Sequence, residues 1–292
     1  MFAEALPVKL LPCLLLALLP LTGLAQNSTA VSDRLNKSPR HHEFVTVEQG
    51  SRKIQCFIAY PEVKDKAMAI LVVHEIYGLS DWVRSVPDQL AENGYIAIVP
   101  DLLSGMGPNG GGTSAYPGQD AVTRAVSGLP ADQVHADLDA VAAYVTQLPS
   151  CNGNLAVAGF CWGGGTAFKY ATQNKTLKAA FVFYGTPPSA ADMAKITCPI
   201  YGFYGGNDNR VSSTVPTATA NMKAAGKTYD PIIYAGAGHG FMRSGMDDSP
   251  TPANKQAMLD AWKRWTALLT KLTTTPATTA TPAPAPTPPA KT

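Results

Sequence analysis

Gly159-Phe160-Cys161-Trp162-Gly163 places a thiol between two glycines, each two residues away. A short apolar run, Leu155–Ala158, precedes it, and a segment of helical character follows to about Thr172. A nucleophile carried on a sharp strand-to-helix turn needs this spacing. Side chains two positions either side would collide with the packed helix and sheet, and glycine removes them. The turn also holds the sulfur at a helix N-terminus, where free N–H groups and the macrodipole favour thiolate. The ordinary fate of a free cysteine is burial as a small hydrophobe, but strand, glycines and helix together favour a nucleophile at Cys161.

Such a thiol needs a base, and the base needs an orienting partner. Among five histidines, His239 lies in Gly238-His239-Gly240-Phe241, a loop directly after the last apolar strand. That loop opens at the C-terminal edge of a parallel sheet, where a triad histidine has to sit. His41 and His42 precede the first strand, the polar face of a helix accounts for His135, and His74 ends the third strand as a lesser candidate. The acid belongs between nucleophile and histidine in chain order. Asp208, in Gly205-Gly206-Asn207-Asp208-Asn209, meets that requirement, although aspartate in such a loop is often a turn former. Asp101 also follows a strand but precedes Cys161. The chemistry implied is hydrolysis of an ester or lactone. Cys161 attacks the carbonyl, His239 moves the proton, Asp208 holds the imidazole tautomer, and water releases an acyl-cysteine. No metal or organic cofactor is implied.

These groups require a frame, and the hydrophobic pattern supplies one. Phe44–Gln49 and Lys53–Ala59 read as strands joined by a Gly50-Ser51 turn. The unbroken run Ala67–Val73 marks a strand buried on both faces, Leu79–Asn93 a helix stopped by Gly94, and Tyr95–Pro100 the next strand. Ser104–Gly118, rich in Gly, Ser and Pro, has no period and reads as loop. In Pro130–Leu148, Val134, Leu138, Val141 and Val145 recur at helical spacing, with Pro130 suited to the first turn. Further strands are expected at Ala179–Tyr184, Ile200–Tyr204 and Pro231–Tyr234. Helices are expected near Ala190–Lys195 with Ser189 as N-cap, at Ser213–Ala225 and at Pro252–Leu272. Strands alternating with helices specify a mostly parallel sheet with helices on both faces. We expect a single α/β domain of the α/β-hydrolase fold.

Taken in order, these pieces resemble the dienelactone hydrolase (carboxymethylenebutenolidase) family, whose members carry a cysteine in this elbow. His74-Glu75-Ile76-Tyr77-Gly78, Pro100-Asp101-Leu102, Gly159-Phe160-Cys161-Trp162-Gly163-Gly164 and Gly238-His239-Gly240-Phe241 carry the resemblance, which spans nearly the whole folded region. It implies that Glu75 sits beside the thiol, hydrogen-bonded to it and opposing the thiolate by like-charge repulsion until substrate arrives. Otherwise Glu75 is a capping or salt-bridging acid. It implies an oxyanion hole of the backbone N–H groups of Ile76 and Trp162, with Trp162 also narrowing the pocket. It further implies a substrate carboxylate bound by arginine. Arg243 matches one such position and Arg124 is a further candidate, though Ser104–Arg124 departs from the family pattern.

Of 292 residues, 46% are hydrophobic and 15% charged, with a formal net charge of +2. The cations are scattered, so no nucleic-acid surface is implied. Leu10–Leu24 is an apolar run after Lys9, too short for an ordinary membrane span. With Gly23-Leu24-Ala25 it reads as an export signal cut after Ala25, which implies a periplasmic or extracellular protein with no stable membrane insertion. Residues 26–42 form an N-terminal extension, 43–272 the hydrolase domain, and 273–292 a tail of Pro, Thr and Ala unable to offset its ordering entropy. Export would permit disulfides among Cys56, Cys151 and Cys198. Cys151 and Cys198 are candidates for a bridge, and Cys56 belongs on the buried face of a strand. Two rival classes are a small-molecule-binding protein that keeps the fold without catalysis and a thiol redox protein, for which Cys161 lacks a partner nearby in sequence.

Overall fold

A computed structural model describes residues 29–274. The expected export signal and nearly all of the expected tail lie outside the described residues.

Eight strands form one sheet in the order β1-β2-β4-β3-β5-β6-β7-β8. They are β1 (His42–Gln49), β2 (Arg52–Ala59), β3 (Ala67–Val73), β4 (Ile96–Pro100), β5 (Cys151–Phe160), β6 (Ala180–Phe183), β7 (Ile200–Gly205) and β8 (Tyr229–Tyr234). The first hairpin is antiparallel and joins β4 antiparallel; every other pairing is parallel. All seven residues of β3 are buried, as a strand covered on both faces requires. Its alternate residues divide between the two cores: Ala69, Leu71 and Val73 enter one, and Met68, Ile70 and Val72 the other.

On one face pack α4 (Ala131–Gln147), α5 (Trp162–Tyr170) and α8 (Val215–Ala224). The expected stripe Val134, Leu138, Val141 and Val145 is buried there. The other face is covered by α1 (Thr29–Lys37), α2 (Asp81–Glu92) and α10 (Pro252–Thr274). Trp265 of α10 is fully buried against Phe160 and Phe183, with ring centroids 6.0 and 4.9 Å away.

Short α6 (Ala190–Met193) forms as expected behind Ser189, whereas the single turns α7 (Asn209–Ser212) and α9 (Phe241–Ser244) and two longer helices escape the sequence pattern. Helix α1 lies in the stretch where no element was expected, with Val31 and Leu35 buried against the α2 side of the core. Arg34 and Arg40 both bond Asp88 of α2. The second is α3 (Gln119–Ser127), which follows the aperiodic loop and buries only Val122 and Val126. Asp101, between β4 and that loop, is its anchor. Its carboxylate accepts from the Thr113 amide and hydroxyl, both at 2.7 Å, and Thr113 Oγ1 accepts from Leu79 N at 3.0 Å. Asp101 therefore fixes a loop and is not the acid of the site.

Cys56, Cys151 and Cys198 are buried free thiols, so the Cys151–Cys198 bridge does not form. Cys151 opens β5 and Cys198 leads into β7, with β6 between. Two strand spacings of ~4.8 Å each exceed the Cα separation of about 7 Å that a disulfide can span.

Candidate active site

The parallel register brings the ends of β3, β5, β6 and β7 to one edge, pairing Val73 with Gly159 and Phe160 with Phe183. Residues just beyond those ends make the site: Glu75 after β3, Cys161 after β5, Tyr184 after β6, Asp208 after β7 and His239 after β8.

Cys161 sits between β5 and α5 at φ 57°, ψ −118°. Such a conformation costs a non-glycine residue about 1–3 kcal/mol and persists only where the surroundings enforce it. Both glycines of the motif are sterically required. A Cβ on Gly159 would lie 2.0 Å from the Gly163 carbonyl oxygen. One on Gly163 would lie 2.3 and 2.4 Å from the carbonyl oxygens of His74 and Val73. All three obstacles are backbone, so α5 would have to move off the sheet. Gly163→Ala is therefore expected to cost about 3 kcal/mol or more, lowering Tm by roughly 6–12 °C. A melt within 2 °C of wild type would refute the steric reading.

Three predicted residues form a continuous hydrogen-bonded line. His239 Nδ1 lies 2.6 Å from Asp208 Oδ2, and His239 Nε2 lies 3.1 Å from Cys161 Sγ. Asp208 is buried, and it caps the short α7 (Asn209–Ser212) through a 3.4 Å bond from Val211 N. The imidazole is a third exposed and meets the Tyr184 ring edge-on, with centroids 5.1 Å apart. Burial, and after it the Glu75 carboxylate, push the Cys161 thiol up. The backbone amides of Trp162 and Ile76 and the charge of Arg210 pull the other way. The two expected oxyanion-hole amides thus both act on the Cys161 sulfur.

Glu75 is buried beside the site, but its bonds run elsewhere than expected. Oε2 accepts from Arg243 Nε at 3.0 Å and Oε1 from the Tyr184 hydroxyl at 3.5 Å. The thiol's side-chain partner is His239, so Glu75 acts on it through its charge and not through a hydrogen bond. Burial raises the Glu75 carboxyl against the opposing pull of Arg243. The Arg243 guanidinium, stacked 5.1 Å over Tyr77, is committed to Glu75 and does not line the cleft. Arg124 lies exposed on α3, outside the site.

A cleft of about 550 Å³ opens from Cys161 along α5. Ile76, Trp162, Leu129 and Val134 give it apolar walls, and Trp162 stacks on His74, centroids 5.7 Å apart. His74 Nδ1 bonds the Glu75 carbonyl at 2.7 Å, which places it under Trp162 and away from the sulfur. His135 is buried and lines the cleft, so a polar helix face does not account for it.

Sequence reasoning missed Tyr184, which has φ 42° and is buried in the cleft wall. Its place after a parallel strand was the available signal. It also missed Lys169 and Arg210, both lining the cleft. Among the described residues no group of His, Cys, Asp and Glu could hold a metal ion, and no helix is long and apolar enough to cross a membrane.

The family model described as "Dienelactone hydrolase family" matches residues 54–273. A Methylorubrum extorquens protein named "Putative carboxymethylenebutenolidase" is 33% identical over 223 residues, covering 72% of this chain and 74% of that one. An Escherichia coli K12 protein of the same name is 33% identical over 211 residues, 68% of this chain and 76% of its own. Among solved structures, a Klebsiella pneumoniae "Putative Dienelactone Hydrolase" superposes with a TM-score of 0.70 at 27% identity. It covers 80% of this chain and 99% of that one.

Proposed function

Because the chain belongs to the dienelactone hydrolase family, and is a hydrolase acting on ester or lactone bonds, we propose that it cleaves its substrate through an acyl-cysteine at Cys161. The observation that carries this reading is the line Asp208–His239–Cys161, at 2.6 and 3.1 Å. As Sγ attacks the carbonyl carbon, its proton passes to His239 Nε2. The oxyanion forms against the amides of Ile76 and Trp162. Collapse expels the alkoxide, which takes the proton from His239. A water, deprotonated by the same nitrogen, then attacks the acyl-cysteine, and the departing thiolate recovers that proton with release of the acid. Asp208 holds the tautomer with Nδ1–H donated to it, leaving Nε2 free to accept. At rest the Glu75 charge disfavours thiolate, which protects Cys161 from oxidation. Such protection suits an exported protein, and we place this one outside the cytoplasm, cut after Ala25.

The test is to mix the protein, recovered after export, with a small activated acetate ester or an unsaturated lactone acid, quench with acid and record intact and peptide masses. Wild type is expected to gain one acyl group on the peptide containing Cys161, with the mature chain starting at Gln26. An acyl group on another residue would overturn the cysteine mechanism; a chain that keeps residues 1–25 would overturn export alone.

A further inference from the structure

Two cations of the cleft neither give nor take a proton in the hydrolysis. Lys169 and Arg210 line the same cavity as the Cys161 thiol, from α5 and from α7. Among the described residues neither side chain has an ion-pair partner within 4 Å, whereas Arg243 is tied to Glu75. No aspartate or glutamate lines the cleft. Its remaining titratable wall group besides Cys161 and Tyr184 is His135, which burial and the Lys169 charge hold toward the neutral form. The cleft therefore presents two cations and no carboxylate to whatever enters.

Position matters as much as charge. Lys169 follows Cys161 by eight residues along α5, which at 1.5 Å per residue places its Cα about 12 Å from the nucleophile. The compact carboxylate of a lactone acid held at the sulfur would not reach it. An acyl chain of about eight carbons, at ~1.3 Å per bond along its axis, spans roughly 9 Å, and the lysine side chain closes the remainder. The acyl part stays bonded to Cys161 at the head of α5 through both half-reactions, so a charge at its far end engages the cations throughout.

Building on the acyl-cysteine reading, we propose that Lys169 forms the far end of an anion subsite to which Arg210 adds its charge, and that the preferred substrates are esters whose acyl chain ends in a carboxylate or similar anion about one chain of eight carbons from the scissile carbonyl. Charge-assisted hydrogen bonds to an anion distinguish it from a neutral group. Both cations are solvent-exposed, so the preference weakens as salt rises.

The test compares activated half-esters of suberate and succinate with their methyl-capped neutral counterparts. Wild type is expected to favour the charged suberate ester by about ten- to hundredfold in kcat/KM, mainly through KM. The succinate pair, too short to reach Lys169, is expected to show a clearly smaller preference. In the Lys169→Gln/Arg210→Gln variant the charged-to-neutral ratio for suberate should fall to within about threefold of one. A ratio that survives the double substitution, or an equal preference for charged succinate, overturns the proposal. Calorimetric binding of methyl hydrogen suberate to Cys161→Ala protein reads the subsite independently of turnover. A loss of about tenfold or more on adding the two substitutions supports the subsite, even if ester hydrolysis itself fails, and unchanged affinity overturns it.

Discussion

Cys161→Ala is expected to lower kcat for an activated ester by about 10⁴-fold or more while the protein remains folded. Removal of a triad nucleophile leaves only what the pocket and the oxyanion donors supply. Two hydroxyls of the cleft wall are otherwise engaged. The Thr166 hydroxyl is bonded to the Trp162 carbonyl at 3.0 Å, and the Tyr184 hydroxyl faces Glu75. The thiol is also not a freely reactive one. Burial and Glu75 raise it, so the fraction ionised at neutral pH is below the few per cent of an ordinary cysteine. Attack must then be assisted by His239, 3.1 Å away, and an accessible thiolate elsewhere would not compensate. The control is a melt, since the thiol contributes little packing at the mouth of the cleft and Tm should stay within a few degrees. Undiminished hydrolysis by a well-folded Cys161→Ala protein would exclude Cys161 as nucleophile.

The sequence made Cys161, Asp208 and His239 legible because each follows a strand in an order that only one sheet edge can reconcile. The strands were legible because burial on both faces leaves unbroken apolar runs such as Ala67–Val73. What escaped was convergence between elements. His135 of α4 faces the cleft only because α4 packs beside α5, a relation that a periodic pattern on one helix cannot carry. Arg210 and Lys169 are unremarkable surface cations in one dimension, and only the fold brings both to the lining of one cleft. The Glu75–Arg243 contact joins residues 168 positions apart, so the family motif placed both near the site without showing that they occupy each other. Helix α3 was hidden for a different reason. It buries two side chains, which is too weak a stripe to stand out beside the glycine-rich loop before it.

Asp208→Asn is expected to reduce kcat by roughly 10³–10⁴-fold with little change in KM or Tm. The carboxylate Oδ2 accepts from His239 Nδ1 at 2.6 Å, which fixes the tautomer whose Nε2 lone pair faces Sγ. An asparagine of the same shape can turn its amide N–H toward Nδ1. The ring then carries its proton on Nε2, directed at the thiol, and cannot accept from it. The imidazolium formed during attack also loses the adjacent negative charge that stabilises it. Stability should survive, because the asparagine oxygen can still cap α7 through Val211 N, where asparagine is as good a cap as aspartate. The result separates orientation from mere packing. If Asp208 served only as the cap, Asp208→Asn would be nearly silent in kcat and Asp208→Ala would chiefly lower Tm. If it orients the base, both substitutions depress kcat, and restoring the α7 cap in Asp208→Asn returns stability but not turnover.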